Sequence, residues 1–389
     1  VKIDKSNPAH WVALLLFGIH VLLALLLRPL VRSRSGRRQV VLYGHRLGGN
    51  LLALQRALRL RPESFAVVYL TLDRAHHRQL VRAGEASVLA TSPRTALLLS
   101  RADAVISSHG LHAMQLLLRL SDIRFFDVWH GIPFKGFDAD DFRVQHRYHE
   151  VWVASQLQRR LYVERFGFDP VKTVATGYPR TDRLVRRDED TAALRRRLGV
   201  PAEASVILFA PTWTQDARGR SLYPFGHDEA SFLGALSELA GRFGARVLMR
   251  AHLNSGTCDG HGFAHVTPVP AGEHPDTEGI LLISDILICD WSSIAFDYLL
   301  LDRPTLFLDV PAPFRKGFSL GPEFRFGPVV ASLDQLLDEV AGALEAPGAY
   351  RARFGARQRE IRERVYGPLA DGHACERCIE RLAVALGSG

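Results

Sequence analysis

The sequence predicts an α/β protein of two doubly wound domains on parallel sheets, preceded by one apolar N-terminal helix. Three observations carry this. The chain has 389 residues, beyond the roughly 250–300 at which a single hydrophobic core stops growing. From residue 39 short β-rich runs alternate with longer helical ones, the pattern of parallel strands joined by helical crossovers. Residues 11–31, WVALLLFGIHVLLALLLRPLV, are almost wholly apolar. A hydrophobic content of 47% with 23% charged residues is ordinary for a globular chain and excludes disorder, a collagen-like fibre and a multi-span membrane protein.

The apolar run comes first. A membrane span needs about 20 apolar residues, and the cleanest part, Val12 to Leu27, is shorter and includes Gly18 and His20. It ends in Arg28, Pro29, Leu30, Val31 and Arg32, which offers no small-residue cleavage site for a signal peptidase. Five arginines between Arg28 and Arg38 stand against Lys2 and Lys5 on the other flank, placing everything after residue 28 in the cytoplasm. The run has no charged face of the kind a surface helix shows. The expectation is a single N-terminal anchor, spanning or deeply embedded, at the cytoplasmic face of the cell membrane, with residues 1–38 as anchor and basic juxtamembrane segment.

The first domain is expected over 39–186. QVVLYG at 39–44 reads as a strand, the Gly48-Gly49-Asn50 turn follows, and LLALQRALRL reads as a helix. FAVVYLTLD, ASVLA, ADAVISSHG, RFFDVWHG and EVWVAS continue the strands, with helices near 76–83, 93–101 and 111–120 between them. Residues 187–200, charged and broken at Gly199, connect to a second domain over 187–389. There SVILFAPTW, ARVLMRAH, DILICD and PTLFLDV read as strands, and 228–243, SSIAFDYLLLD, 333–346 and 349–366 as helices. In such folds ligands bind beyond the carboxyl ends of the strands, so residues that follow strands carry the functional argument.

The net charge of +8 comes mostly from arginines scattered along the chain. That favours anionic partners such as phosphates and lipid headgroups; no zinc-finger or RNP-type signature accompanies it, and nucleic acid is not an expected partner. Four cysteines, Cys258, Cys289, Cys375 and Cys378, are too few for a disulfide framework and point to a reducing compartment. Cys375 and Cys378 form one C-x-x-C without the second pair a structural zinc requires, and read as neighbours on a C-terminal helix. DAD at 138–140 runs on into Asp141 and reads as an acidic turn. No metal and no cofactor is expected.

Five strand ends supply the candidates. DWSS offers Asp290 as a cap and Ser292 and Ser293 at a helix start, where free N–H groups favour an anion. RAH supplies Arg250, whose fork suits phosphate oxygens, and His252, able to donate to a developing charge. APTW adds the Thr212 hydroxyl. GYPRTD places Arg180 and Asp182 after a turn, to meet phosphate and substrate or to pair with each other. DVWHGIPFK sets His130 just before a flexible glycine and a rigid proline, with Lys135 close behind; the imidazole reads as a base, a ligand or packing. Each has an ordinary structural reading, and none is decisive singly.

Taken in order, DVWHGIPFK, TGYPRTD, ILFAPTW, VLMRAH, SDILICDWSSIAFDYLLLDRP, FGPVV and ADGHACERCIERL resemble the CDP-glycerol glycerophosphotransferase family, the teichoic acid primases and polymerases, over roughly residues 39–385. The resemblance implies a GT-B fold, two Rossmann-like domains facing a central cleft with the donor nucleotide on the C-terminal one. It puts His130 at the position of the catalytic base in a pattern H-G-T-P-x-K, with His252 as a second catalytic candidate. Lys135, Arg250, His252, Thr212, Ser292 and Ser293 would hold a diphosphate. Ile132 stands where the pattern has Thr, and Trp291 where it has Tyr. The implied reaction moves glycerol phosphate or ribitol phosphate from a CDP-alditol to a hydroxyl of a lipid-linked or polymer acceptor, releasing CMP; these motifs do not name the alditol. The alternatives are a GT-B glycosyltransferase using a nucleotide sugar and an inactive membrane-tethered scaffold.

Overall fold

A computed structural model describes residues 7–31, 36–212, 223–250 and 262–387. The chain divides into two units: Val1–His130 with Ala139–Asp182 and His373–Gly389, and Gly131–Asp138 with Arg183–Gly372. The division falls at Asp182 rather than Arg186, and the last helix belongs to the first unit rather than the second.

The first unit is built on seven strands: β1 Arg38–Tyr43, β2 Phe65–Thr71, β3 Ser87–Leu89, β4 Ala104–Ser107, β5 Arg124–Asp127, β6 Glu150–Val153 and β7 Thr173–Ala175. They lie in the order β3-β2-β1-β4-β5-β6-β7, and each neighbouring pair is parallel. Val40, Val41 and Leu42 are fully buried in succession, as expected for a parallel strand covered on both faces. The helix Gly49–Arg59 buries Leu51, Leu54 and Leu58, spaced three and four apart, against that sheet. Cys378, Ile379 and Leu382 of the helix Ala374–Ala385 complete the same core.

Asp182 explains how this last helix is joined on. Its buried carboxylate accepts from the N–H groups of Ala374 at 2.8 Å and Cys375 at 2.7 Å. Those are orphan donors at a helix start, where a negative group is favoured. Asp182 is thus a cap across the fold, its two oxygens engaged by these N–H groups. Cys375 and Cys378 sit buried on the helix, outside any disulfide.

The second unit repeats the plan with β8 Val206–Ala210, β9 Arg246–Met249, β10 Val266–Pro268, β11 Ile286–Cys289, β12 Thr305–Leu308 and β13 Val329–Val330. The order is β10-β9-β8-β11-β12-β13, again parallel throughout. In both sheets the order reverses beside the first strand, so the switch points lie between β1 and β4 and between β8 and β11. The short strands β7, β10 and β13 were not visible as sequence patterns.

The apolar run forms the 20-residue helix Pro8–Leu27, with Pro8 in its first turn and the Asn7 side chain accepting from the Ala9 N–H. It is not a free anchor. Phe17, His20, Val21 and Ala24 are buried where it packs on the helix Arg94–Arg101. Arg28 donates to the carbonyls of Ser100 and Ala102 and pairs with Asp122. Trp11, Val12, Leu15, Leu16, Ile19, Leu22, Leu23 and Leu26 face outward, exposed. The charged face is missing because one apolar face meets protein and the other meets the surroundings.

Loss of the Asp182 cap strands two buried donors. Asp182→Ala is expected to lower stability by about 1–2 kcal/mol, and Asp182→Asn, which keeps one accepting oxygen, by less; urea unfolding curves measure both.

Candidate functional site

At the end of β5 the Asp127 carboxylate accepts the Trp129 N–H at 3.0 Å, bending the chain sharply. Trp129 has φ +34°, a left-handed conformation that costs a bulky residue energy unless its surroundings hold it. Asn50 supplies the hold. It is 2% exposed, and its Nδ2 donates to the carbonyls of Val128 at 2.8 Å and Trp129 at 3.0 Å. Its Oδ1 accepts the Arg180 N–H at 3.1 Å, while Arg180 Nη1 donates to the His130 carbonyl at 2.8 Å. Three successive carbonyls are therefore fixed.

The bend leaves the His130 side chain exposed beyond the sheet edge. Its Nδ1 lies 3.1 Å from the Ser108 carbonyl oxygen. A carbonyl only accepts, so Nδ1 carries the proton and Nε2 presents a lone pair. The ring is stacked on His109, with centroids 4.6 Å apart and planes within 5°. Trp129 lies tilted against it at 4.2 Å, and His45, after β1, meets His109 at 4.3 Å. These histidines follow β1, β4 and β5, at the switch point of the first sheet. Asn50 and His109 escaped sequence reasoning: the first was read only as part of a turn and the second as the end of a strand.

Below this cluster Asp127 is fully buried, its Oδ1 without a hydrogen-bond partner. Burial pushes its carboxyl up to about 7, against the smaller downward pull of the Trp129 N–H.

In the second unit the switch point is bridged directly. Asp290 Oδ1, after β11, accepts the N–H groups of Thr212, after β8, at 2.8 Å and of Trp291 at 2.6 Å. Asp290 ties two loops together rather than capping the following helix, Ile294–Leu299, at whose N-cap position stands Ser293. The Thr212 hydroxyl is buried with no partner, and Ser292 and Ser293 are half-buried beside Trp291. The indole is pinned: Nε1 donates to the Val310 carbonyl at 2.9 Å, and the buried Arg325 guanidinium stacks on it at 3.6 Å. Arg325 was also missed, since a lone Arg between two Phe residues carries no motif.

Arg250 follows β9 but spends its fork on the fold. It donates to the carbonyls of Val269 at 3.2 Å and His274 at 3.0 Å and to the Thr277 hydroxyl at 2.7 Å, and burial pushes its pKa down to about 10. Lys135 lies in the second unit, its backbone bridged to Phe318 and its Nζ 5.2 Å from the Phe137 ring centre. His252 lies outside the described residues. The first unit thus brings His130 and Arg180 together, and the second Thr212, Asp290, Ser292 and Ser293. Asp138 and Asp140 of the acidic turn pair with Lys316 and Arg143.

Residues 31–383 match the family described as CDP-Glycerol:Poly(glycerophosphate) glycerophosphotransferase. Similar curated proteins include a teichoic acid poly(glycerol phosphate) polymerase of Staphylococcus epidermidis, 28% identical over 47% of this chain and 28% of that protein. A teichoic acid glycerol-phosphate transferase of Staphylococcus aureus is 26% identical over 66% of this chain and 70% of that protein. The teichoic acid ribitol-phosphate polymerase TarK of Staphylococcus aureus is 30% identical over 54% and 44%. The chain spans between about a quarter and two thirds of the length of these relatives. Among solved structures, the wall teichoic acid polymerase TagF superposes with a TM-score of 0.75 at 18% identity, over 95% of this chain and 94% of that one. That likeness shows the fold, of GT-B type.

Asp127 gives the first unit a pH dependence of stability. The unfolded carboxyl ionises near pH 3.9 and the folded one at about 7, so between these values the folded state holds the extra proton. Stability therefore falls as pH rises through that interval and levels off above it. Asp127→Asn is expected to remove this slope, matching the wild type near pH 4 and exceeding it by a few kcal/mol at pH 8 in urea unfolding.

Proposed function

The chain belongs to the CDP-glycerol:poly(glycerophosphate) glycerophosphotransferase family, and on that premise we propose that it transfers an alditol phosphate from a CDP-alditol to a hydroxyl of a membrane-associated acceptor, releasing CMP. Glycerol phosphate is the group named by the family and by two of the relatives, ribitol phosphate by the third. The observation that carries the reading is the exposed His130 ring with Nδ1 committed to the Ser108 carbonyl.

In this reading Nε2 takes the proton of the acceptor hydroxyl. The acceptor oxygen bonds to the β-phosphorus as the bond from that phosphorus to the bridging oxygen breaks, and the bridging oxygen leaves with CMP. Positioning and charge stabilisation supply most of the rate in such a displacement. The donor diphosphate is assigned to the loops after β8 and β11, with the Thr212, Ser292 and Ser293 hydroxyls as donors to it. Arg180 and Asn50 serve His130 by fixing its backbone, and Arg250 serves β9.

Membrane association is assigned to the outward face of Pro8–Leu27. Leu97, Leu116 and Leu120 of helices in the same unit add to the exposed apolar surface, and Arg119 and Arg147 line a hollow of about 370 Å³ shared with Gln115 and Leu118. Apolar residues flanked by arginines suit a helix lying in the headgroup plane of an anionic leaflet, here on the cytoplasmic side, where the acceptor's hydroxyl is presented.

His130→Ala is expected to lower turnover by about 10²–10⁴-fold while leaving CDP-glycerol affinity in calorimetry within twofold or so; a folded variant with full turnover would remove the base assignment. Parallel assays with CDP-glycerol, CDP-ribitol and UDP-sugars decide the donor class.

Leu15→Glu, Leu22→Glu and Leu26→Glu together leave the inward face intact. They are expected to abolish sedimentation with anionic liposomes and to spare activity on a soluble acceptor analogue. Binding that survives all three places the attachment elsewhere, and protease protection of residues 1–7 in sealed vesicles would show a spanning helix instead.

A further inference from the structure

We propose that His109 is a positioning residue for the transfer reaction: its imidazole is a wall of the aromatic slot that holds the plane of the His130 ring and faces the charge that ring acquires on taking the acceptor proton. The inference rests on the reading of His130 as the base.

An exposed histidine ordinarily turns about its outer side-chain bond, which would put a ring carbon where each nitrogen stood and spoil the line from base to hydroxyl. The hydrogen bond of 3.1 Å from Nδ1 to the Ser108 carbonyl favours one tautomer, and ring stacking restrains the plane in which the imidazole lies. His109 lies parallel to His130 within 5° at 4.6 Å, and Trp129 adds a second aromatic surface at 4.2 Å.

The wall is itself fastened. His109 Nδ1 is 2.8 Å from the Ser108 hydroxyl, and its ring rests against His45 at 4.3 Å. Ser108, 6% exposed, therefore acts on both rings, its carbonyl ordering His130 and its hydroxyl ordering His109. Tyr43, at the end of β1, engages His112 at 2.7 Å, keeping that imidazole occupied elsewhere. Burial, then the neighbouring His130 and His45, hold His109 well below the ordinary histidine range. It stays neutral at pH 7 and offers a π surface, not a second cation, to the imidazolium that forms on His130.

The chemistry makes this testable. A wall needs a ring but no nitrogen, whereas a proton carrier or hydrogen-bonding group needs the nitrogen but no ring. The full chain would be assayed with CDP-glycerol and a soluble acceptor analogue as His109→Ala, His109→Phe and His109→Gln, with His130→Ala as reference and circular dichroism confirming the fold of each. His109→Ala and His109→Gln are expected to lower kcat by about 10- to 100-fold with the KM for CDP-glycerol unchanged, and His109→Phe to restore kcat to within about threefold of wild type. Nitrogen shifts of His130 should show the Nδ1–H tautomer in the wild type and in His109→Phe, and a mixture in His109→Gln. Rescue by Gln but not by Phe would overturn the wall in favour of a polar role, and wild-type kcat in both Gln and Phe would show the ring to be dispensable. Full turnover in His130→Ala would remove the base itself, a failure separate from either of these.

Discussion

The first unit depends on one buried carboxamide. Asn50 opens the helix after β1, and from there it reaches the loop after β5 and the turn after β7 at once, through two donated bonds and one accepted bond. Without them Trp129 has no reason to remain at positive φ, and His130 has no fixed place to stand. A buried amide half satisfied is worse than an apolar side chain, so the three loops must arrive together for the arrangement to exist. The constraint converts a parallel sheet, whose strand ends are otherwise independent, into a platform with one geometry.

The second unit solves the same problem with a charge. Asp290 gathers the N–H groups of Thr212 and Trp291 across its own switch point, while Arg325 and the Val310 carbonyl hold the indole from other sides. The broad face of Trp291 gives Arg325 a surface to stack on. The indole is packed beneath the loop, and Ser292 and Ser293 remain partly open beside it.

Much of this was legible beforehand because it is local. Runs such as VVLY and ILFA announce buried parallel strands, and the motifs that follow them were correctly placed at strand ends. What escaped is long-range. The partners of Asn50 lie 78 to 130 residues away, and no local spacing advertises them. Asp182 was misread because it stands near Arg180 in sequence, whereas its true partners are 192 and 193 residues on. The N-terminal helix was legible as an anchor, spanning or deeply embedded, but hydropathy cannot tell an apolar face that meets protein from one that meets lipid, so its packing on the first unit was not. His109 looked like the end of a strand, since a ring stack between loops after β4 and β5 has no linear signature.

The return of the last helix to the first unit bears on how the chain is made. Cys378, Ile379 and Leu382 are part of the core that also contains Val40 and Leu51, so a ribosome that has delivered the first sheet has not yet delivered its cover. The second unit, contiguous over Arg183–Gly372 apart from a short segment, is fully synthesised before the first can close. Loop closure on that scale is slow relative to local contacts, and an open sheet face is prone to wrong association while it waits. The later half of the sequence is thus placed to finish folding first, and the half that bears His130 last.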